Sequence, residues 1–306
     1  MKETFINSDV VCKIMARNMI KDEMEEEFII RTKKRYLDVC EKICRKYGAY
    51  EKAVGELCFE MPEKRMMISG YCDVCQEESQ FELDYMFSEL VGGFKKKSPV
   101  YRERLVCSKC KLNNRMRYLI GVMKRMYLSG KSAYMYEYVT QSYKEIKKFI
   151  PDLVGSEYLG DYESGSYIDG ILHEDAMNLS FESEMFDFVL SQDVFEHVSD
   201  YDKAFREMFR VMKPDGKAVI TVPFATFNDE VEKRAEIING ELVYHKEPMY
   251  HGNPLSKEGA LVYNIFSWDL LDTLKAVGFK DVYIVAYYSI LKANYGILPF
   301  YIIAEK

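Results

Sequence analysis

Histidine is scarce in this 306-residue chain, with four in all, so chemistry that needs an imidazole has few places to sit. No apolar run approaches the ~18 residues that cross a bilayer as a helix. The opening MKETFINSDVVC lacks the basic-then-apolar pattern of a signal peptide. These absences predict a cytoplasmic protein with no membrane span. In a reducing compartment the eight cysteines are not expected to form structural disulfides. Repeats and low-complexity tracts are absent. Glycine is missing from SAYMYEYVTQSY, residues 132–143, which also holds a single acid.

Hydrophobic residues make up 48% and charged residues 30%, the composition of a globular protein with a sizeable core. The length suits more than one domain. Net charge is −7, yet residues 95–125 hold eleven Lys or Arg against one acid, Glu103. Such a run either faces an anion or forms a solvated face.

Three regions follow from the pattern. Residues 1–65 read as a helical N-terminal region, where Tyr36, Val39, Cys40, Ile43 and Tyr47 recur at three- and four-residue steps. Cys12, Cys40, Cys44 and Cys58 read there as small buried hydrophobes. Residues 66–130 hold paired cysteines and a linking helix, RMRYLIGVMKRMYL, with Gly130 as its stop. From 131 to 306 strands and helices alternate. The strands are expected at 133–139, 152–158, 170–174, 186–192 and 217–223. SYKEIKKF and DYDKAFREMFRVM are the helices, and KPDGK is a turn. Ser142 and Glu145 form a capping-box pattern. The last two strands, 281–287 and 299–304, have no helix between them and predict an antiparallel hairpin at the sheet edge. The alternation predicts a parallel sheet with helices on both faces.

Cys72-x-x-Cys75 and Cys107-x-x-Cys110 are the most specific local signal. Two such turns facing each other complete a tetrahedral thiolate shell suited to structural Zn2+. The 31-residue gap between the pairs exceeds that of a compact zinc ribbon. With four cysteines the ion has no open position, so its role is structural. Arg115 and Arg117, with Lys109 and Lys111, are candidates for RNA phosphates. Asn113 and Asn114 instead suit bonding the knuckle or capping the following helix.

Residues 173–224, HEDAMNLSFESEMFDFVLSQDVFEHVSDYDKAFREMFRVMKPDGKAVITVPF, resemble the class I S-adenosyl-L-methionine (SAM) dependent methyltransferases, in the bacterial small-molecule branch. The resemblance covers roughly 132–306. It implies an α/β, Rossmann-like, seven-stranded methyltransferase sheet with one antiparallel strand, preceded here by the helical and zinc-ribbon-like region. It implies that SAM lies across the carboxyl ends of the first strands. Glu137 matches the acid ending the first strand. Glu157 matches the acid that takes the ribose hydroxyls, with Tyr158 beside the adenine. Asp175 matches the acid reading the adenine amino group, next to Ala176. Gln192 and Asp193 end the fourth strand beside the methionine portion. The family's glycine-rich bend is replaced by Tyr138, Val139, Thr140 and Gln141. SAM carries no pyrophosphate, so its carboxylate is expected to meet helix N–H groups and the side chains of Thr140 or Gln141.

A hydroxyl acceptor needs a base. His251, in the insertion 224–266 that covers the acceptor pocket in such folds, is the choice. His197 suits packing or capping, and His173 a structural role. Asp193, Glu196 and His197 at i, i+3 and i+4 form a second expectation, a divalent-ion site with His251 as a fourth ligand. This resembles the metal triad of small-RNA 2′-O-methyltransferases and ubiquinone-pathway O-methyltransferases. The function expected is methyl transfer to an oxygen of a small molecule or sugar. The Cys-x-x-Cys knuckle with LNNRMR, GSEYLG and YHGNP resembles bacterial proteins linked to surface-glycan synthesis, a resemblance of context only; the partner expected is a small-molecule or glycan acceptor. Two alternatives stand beside it: an RNA methyltransferase guided by the zinc region, and a non-catalytic zinc-organised scaffold.

Overall fold

The computed structural model describes residues 25–86, 88, 99–127, 130–296 and 298–306. Cys12, Lys95 to Lys97 and the expected helical periodicity before residue 25 lie outside them. Contacts divide the chain into two units. The first holds residues 1–30, 34–126 and 285–300; the second holds 31–33, 127–284 and 301–306. The first unit is therefore closed by a segment near the C-terminus, which no linear boundary at 65 or 130 anticipates.

The first unit opens with strand β1 (Glu25–Ile30), where a helix was expected. EEEFII alternates the exposed Glu25, Glu27 and Ile29 with the more covered Glu26 and Phe28 and the fully buried Ile30, a period-two pattern of burial. Helix α1 (Lys33–Glu60) buries Tyr36, Val39, Ile43, Tyr47, Val54 and Cys58 along one stripe. Cys58 is buried as expected, but Cys40 is half-buried and Cys44 exposed. Cys44 sits one residue past Ile43, about 100° around the helix and off the stripe. Strands β2 (Arg65–Cys72) and β3 (Glu77–Asp84) form an antiparallel pair, and β4 (Val106–Cys107) adds to β3. Helix α2 (Asn114–Met126) follows.

Arg117 on α2 is 1% exposed. It donates to the carbonyls of Lys292 (2.8 Å) and Ala293 (2.6 Å), and its guanidinium lies 4.2 Å from the centre of the Phe81 ring. Arg115 pairs with Glu103, Arg104 with Glu82 and Asp84, and Lys109 with Glu77. This corrects the reading of Arg115 and Arg117 as phosphate contacts. Of the described part of the basic run, all but the exposed Lys111 have side-chain partners within their own unit.

The second unit begins with β5 (Ala133–Met135), α3 (Gln141–Lys147) and β6 (Val154–Gly155). Strands β7 (Tyr167–Ile168) and β8 (Ile171–Leu172) form a hairpin. The long strand β9 (Phe186–Gln192) leads through a 3-10 turn at Phe195–His197 to α4 (Tyr201–Val211) and β10 (Met212–Thr221). Six short strands then make three ladders. They are β11 (Glu232–Lys233), β12 (Ala235–Ile238), β13 (Glu241–Tyr244), β14 (Tyr250–Asn253), β15 (Ser256–Leu261) and β16 (Asn264–Ile265), paired β11 with β16, β12 with β13 and β14 with β15. Helix α5 (Asp269–Val277) and strands β17 (Asp281–Ser289) and β18 (Phe300–Glu305) complete the chain.

The main sheet has seven strands in the order β1-β17-β18-β10-β9-β5-β6. β6, β5, β9 and β10 run parallel, and β18 pairs antiparallel with β10. Val189, Leu190, Val219, Ile220 and Ile302 are all fully buried, as in strands covered on both faces. The α/β class and the count of seven agree with expectation, but the membership does not. The expected strand 170–174 folds back as β7–β8 through Asp169 (φ 51°) and Gly170 (φ 82°), the left-handed pair of a tight hairpin turn. Among the described residues its ladder contact toward the sheet is the parallel bridge Glu157–His173. β1 supplies the seventh strand, so the β17–β18 pair is not the edge of the sheet. KPDGK follows α4 but lies inside β10 as a register shift rather than as a free turn. No helix among the described residues is long and apolar enough to cross a membrane.

Candidate functional site

Three parallel strands of the second unit end side by side, and each ends at a polar side chain named above. Glu137 follows β5, is 7% exposed, and accepts the backbone N–H of Gln192 at 3.0 Å. Gln192 ends β9, is also 7% exposed, and neither its Oε1 nor its Nε2 has a hydrogen-bond partner among the described residues. Glu157 follows β6. Its Oε1 accepts the N–H of both Tyr138 and Val139, each at 2.8 Å. Burial raises the Glu157 carboxyl, against the lowering effect of those two N–H groups.

The glycine-free bend is thus held from below by a carboxylate. Its remaining side chains are also engaged. Thr140 caps α3, its hydroxyl oxygen accepting the N–H of Tyr143 at 3.2 Å. Gln141 donates to Glu145 at 2.9 Å. The cap therefore lies two residues before the Ser142 expected from the capping box, and Ser142 is buried within the helix. In this arrangement the Thr140 hydroxyl keeps its proton to donate and the Gln141 amide keeps its oxygen.

Tyr158 is 60% exposed, with its ring 5.5 Å from that of His173. His173 is fully buried, accepting from the N–H of Leu159 at 3.0 Å and facing the carbonyl of Tyr162, which bears out a structural role. Asp175 accepts the N–H of Met177 through Oδ1 and its own N–H donates to Ser164, so the side chain closes a turn beside the buried Ala176. Tyr136, one residue before Glu137, was not anticipated. Its hydroxyl is buried without a partner among the described residues, and burial raises it.

Just past β9 lies a second group. Glu196 on the 3-10 turn is fully buried, and neither carboxylate oxygen has a hydrogen-bond partner among the described residues. His197 Nε2 lies 3.6 Å and His251 Nδ1 3.5 Å from Glu196 Oε1. The two imidazoles meet edge to face at 5.2 Å. His197 Nδ1 donates to the carbonyl of Leu261 at 2.8 Å. Burial pushes Glu196 up to about 7, and it pushes His197 down, favouring the neutral ring. Asp193 does not belong to the group. It has φ 55°, outside a helix, and its Oδ1 accepts the Thr221 hydroxyl at 2.9 Å. The expected helical triad is replaced by two residues of the turn and one of the insertion. The insertion is fixed to that turn by the Tyr263 N–H, which donates to the Glu196 carbonyl at 2.8 Å. His245 is elsewhere, paired with Glu236.

In the first unit, Cys72, Cys75, Cys107 and Cys110 place their sulfurs within 4.8 Å of one another. Cys72–Cys110 and Cys75–Cys107 are each 3.9 Å apart. Disulfides need about 2.05 Å. A tetrahedral ion with sulfur at ~2.3 Å sets its ligands about 3.8 Å apart. The two knuckles are built alike. Gln76 (φ 58°) and Lys111 (φ 63°) each follow the second cysteine of a pair, and each donates its N–H to the carbonyl of the first, at 2.7 and 3.0 Å. Burial and the neighbouring cysteines push Cys75 up to about 11. The donor set fits Zn2+.

Residues 132–220 match the family model of a methyltransferase domain. The chain is 34% identical over 59 residues to phosphoethanolamine N-methyltransferase 2 of Caenorhabditis elegans, covering 19% of this chain and 14% of that protein. It is 45% identical over 49 residues to demethylmenaquinone methyltransferase of Staphylococcus epidermidis, covering 16% and 20%. The chain thus spans a fifth or less of these relatives. Among solved structures, a SAM-dependent methyltransferase of Thermotoga maritima aligns with TM-score 0.37 and 16% identity, covering 63% of this chain and 90% of that one. Phosphoethanolamine N-methyltransferase 2 of Haemonchus contortus bound to SAM aligns with TM-score 0.33 and 17% identity, covering 53% and 36%.

Proposed function

We propose that the second unit transfers a methyl group from SAM to a small-molecule or sugar acceptor, at oxygen. The observation that carries the reading is Gln192, a buried amide with no partner at the end of a central parallel strand, flanked by Glu137 and Glu157. Most buried polar side-chain atoms are hydrogen-bonded, so an amide with both ends open at a strand tip is suited to receive a ligand's polar groups. In an open parallel sheet the ligand lies outside the carboxyl ends of the strands.

In this reading Glu157 offers Oε2 to the ribose while Oε1 holds the bend. Tyr158 covers the adenine, with Asp175 and Ala176 at its edge. Gln192 and Glu137 take the methionine end. SAM supplies an electrophilic methyl on sulfonium. The chain's part is to align the acceptor, exclude water and receive or release the proton, and alignment alone supplies much of the rate. In this reading Glu196 and His197, shortly after Gln192 in the chain, and His251 from the insertion face the acceptor. The relatives named above act on phosphoethanolamine and demethylmenaquinone, both small molecules, which supports a small acceptor and leaves the oxygen specific to this proposal. In the first unit the four cysteines hold a structural Zn2+. The internal pairing of the basic run weighs against RNA.

Calorimetry with SAM and S-adenosylhomocysteine tests the reading. Saturable binding to wild type that is lost in Glu157→Ala is expected. No heat with millimolar ligand would overturn it in favour of a scaffold.

A further inference from the structure

We infer that Arg117 is the buried counter-charge of the four-cysteine centre, so that a bound ion latches the connection between β17 and β18 onto the knuckles. The inference rests on the cysteines holding Zn2+ and lies wholly within the first unit.

Among the described residues Arg117 is a buried cation with no acid paired to it. It is 1% exposed, its acceptors are two neutral carbonyls, and its Nε has no partner there. Acids of the same unit go to other arginines: Glu103 to Arg115, and Glu82 and Asp84 to Arg104. Burying a guanidinium is costly unless a negative charge answers it. The cysteine centre supplies that charge, since four thiolates around one divalent ion keep a net negative charge. Binding the ion is what turns the thiols into this charged shell, with their protons released to solvent. The centre is close at hand. Phe81, whose ring lies 4.2 Å under the Arg117 guanidinium, is the register partner of Cys107. Burial lowers Arg117, and the charges of Cys72, Cys107 and Cys110 oppose that effect.

The same guanidinium ties down residues 289–296. Ser289 and Asn294 close this connection into a turn, each donating its N–H to the other's carbonyl, at 2.6 and 2.8 Å. The Leu291 carbonyl accepts the N–H of Tyr71, next to Cys72, at 2.8 Å. A Cβ on Gly70 would lie 2.7 Å from that carbonyl oxygen, so only glycine lets the two backbones meet this closely. Lys292 Nζ lies 3.4 Å from the carboxylate of Asp73, inside the first knuckle. Asn114, shortly after Cys110, donates to the Tyr295 carbonyl at 2.8 Å. Arg117 adds the carbonyls of Lys292 and Ala293, and its charge is the one that the filled centre answers. The coupling is reciprocal: what the ion adds to the hold of Arg117 on this turn, Arg117 adds to the affinity for the ion.

The test uses the full chain. Zn2+ affinity is measured by competition with a chromophoric chelator in wild type, Arg117→Met and Arg117→Lys. Arg117→Met should weaken binding by about tenfold or more. Arg117→Lys keeps the charge without the fork and should restore most of that loss. Equal weakening in both variants, or none in either, overturns the counter-charge and leaves Arg117 a packing role. Wild type alone carries a second measurement, should Arg117→Met fail to fold. Hydrogen exchange is followed with Zn2+ bound and after chelation. The amides of Ala293 and Asn294 should exchange about tenfold faster without the ion while α1 stays protected. Unchanged protection of the turn, or a loss shared equally by α1, overturns the latch. Wild type that takes up no Zn2+ sinks the cysteine reading itself, whereas Zn2+ bound with equal affinity by all three proteins sinks only the role of Arg117.

Discussion

Glu157 holds two consecutive backbone N–H groups, those of Tyr138 and Val139, on one carboxylate oxygen at 2.8 Å each. This is how a bend without glycine stays in place. A glycine-rich loop reaches its ligand because it lacks side chains. Here the bend is tethered to the neighbouring strand, and the tethering group is the one assigned to the ribose.

Glu157→Ala should therefore do two kinds of damage. It leaves two N–H groups without their acceptor, which costs about 1–3 kcal/mol if they stay dry. It should also weaken SAM binding more than tenfold by calorimetry. Thermal unfolding and binding are measured separately, and lost stability with unchanged affinity would mean that the carboxylate only pins the loop.

Removing the metal from the cysteine cluster should unfold the first unit before the second. Metal analysis should give one Zn2+ per chain in wild type and none in Cys107→Ser. Thiolate ligands must be deprotonated, so the zinc should also be released on acidification. A variant that keeps its melting profile after chelation would show that the cysteines pack without an ion.

Arg117→Ala should destabilise the chain by about 3–5 kcal/mol, because it leaves the carbonyls of Lys292 and Ala293 buried without donors and opens a cavity against Phe81. Denaturant unfolding reads the loss. Arg117→Lys should rescue it only in part, since one ammonium cannot reproduce the flat two-pronged fork. A near-neutral result would restore a surface role for this arginine.

Asp187 gives the pH dependence its sign. Burial opposes its ionisation, but Lys131, Lys213 and Ser132 overcome it and hold the carboxyl well below the usual range. A depressed carboxyl contributes stability above its unfolded value near 4, and that contribution fades as pH falls. Asp187→Asn should lower the unfolding midpoint at pH 7 and flatten its decline between pH 4 and pH 2. Parallel curves for variant and wild type would remove Asp187 from the account.

The sequence by itself determined the elements whose signal is local. Strand β9 spans Phe186–Gln192, the range read from its apolar run, and α4 departs from expectation by one residue at each end. Cys-x-x-Cys spacing marked the knuckles, because two ligands three residues apart need only a short turn. Asp169-Gly170 and Asn239-Gly240 carried their hairpins in the dipeptide as well, although the first was read as part of a buried strand. Only the tertiary structure decided the rest. β1 took the seventh place in the sheet because pairing depends on which strand edge is left open, and no local pattern records that. Glu157 turned to the bend 18 residues upstream, Asp193 left the triad for Thr221, and His251 joined Glu196 across 55 residues. Long-range pairings of this kind are chosen by burial and hydrogen-bond satisfaction across the whole unit, and a sequence lists the partners without saying which will meet.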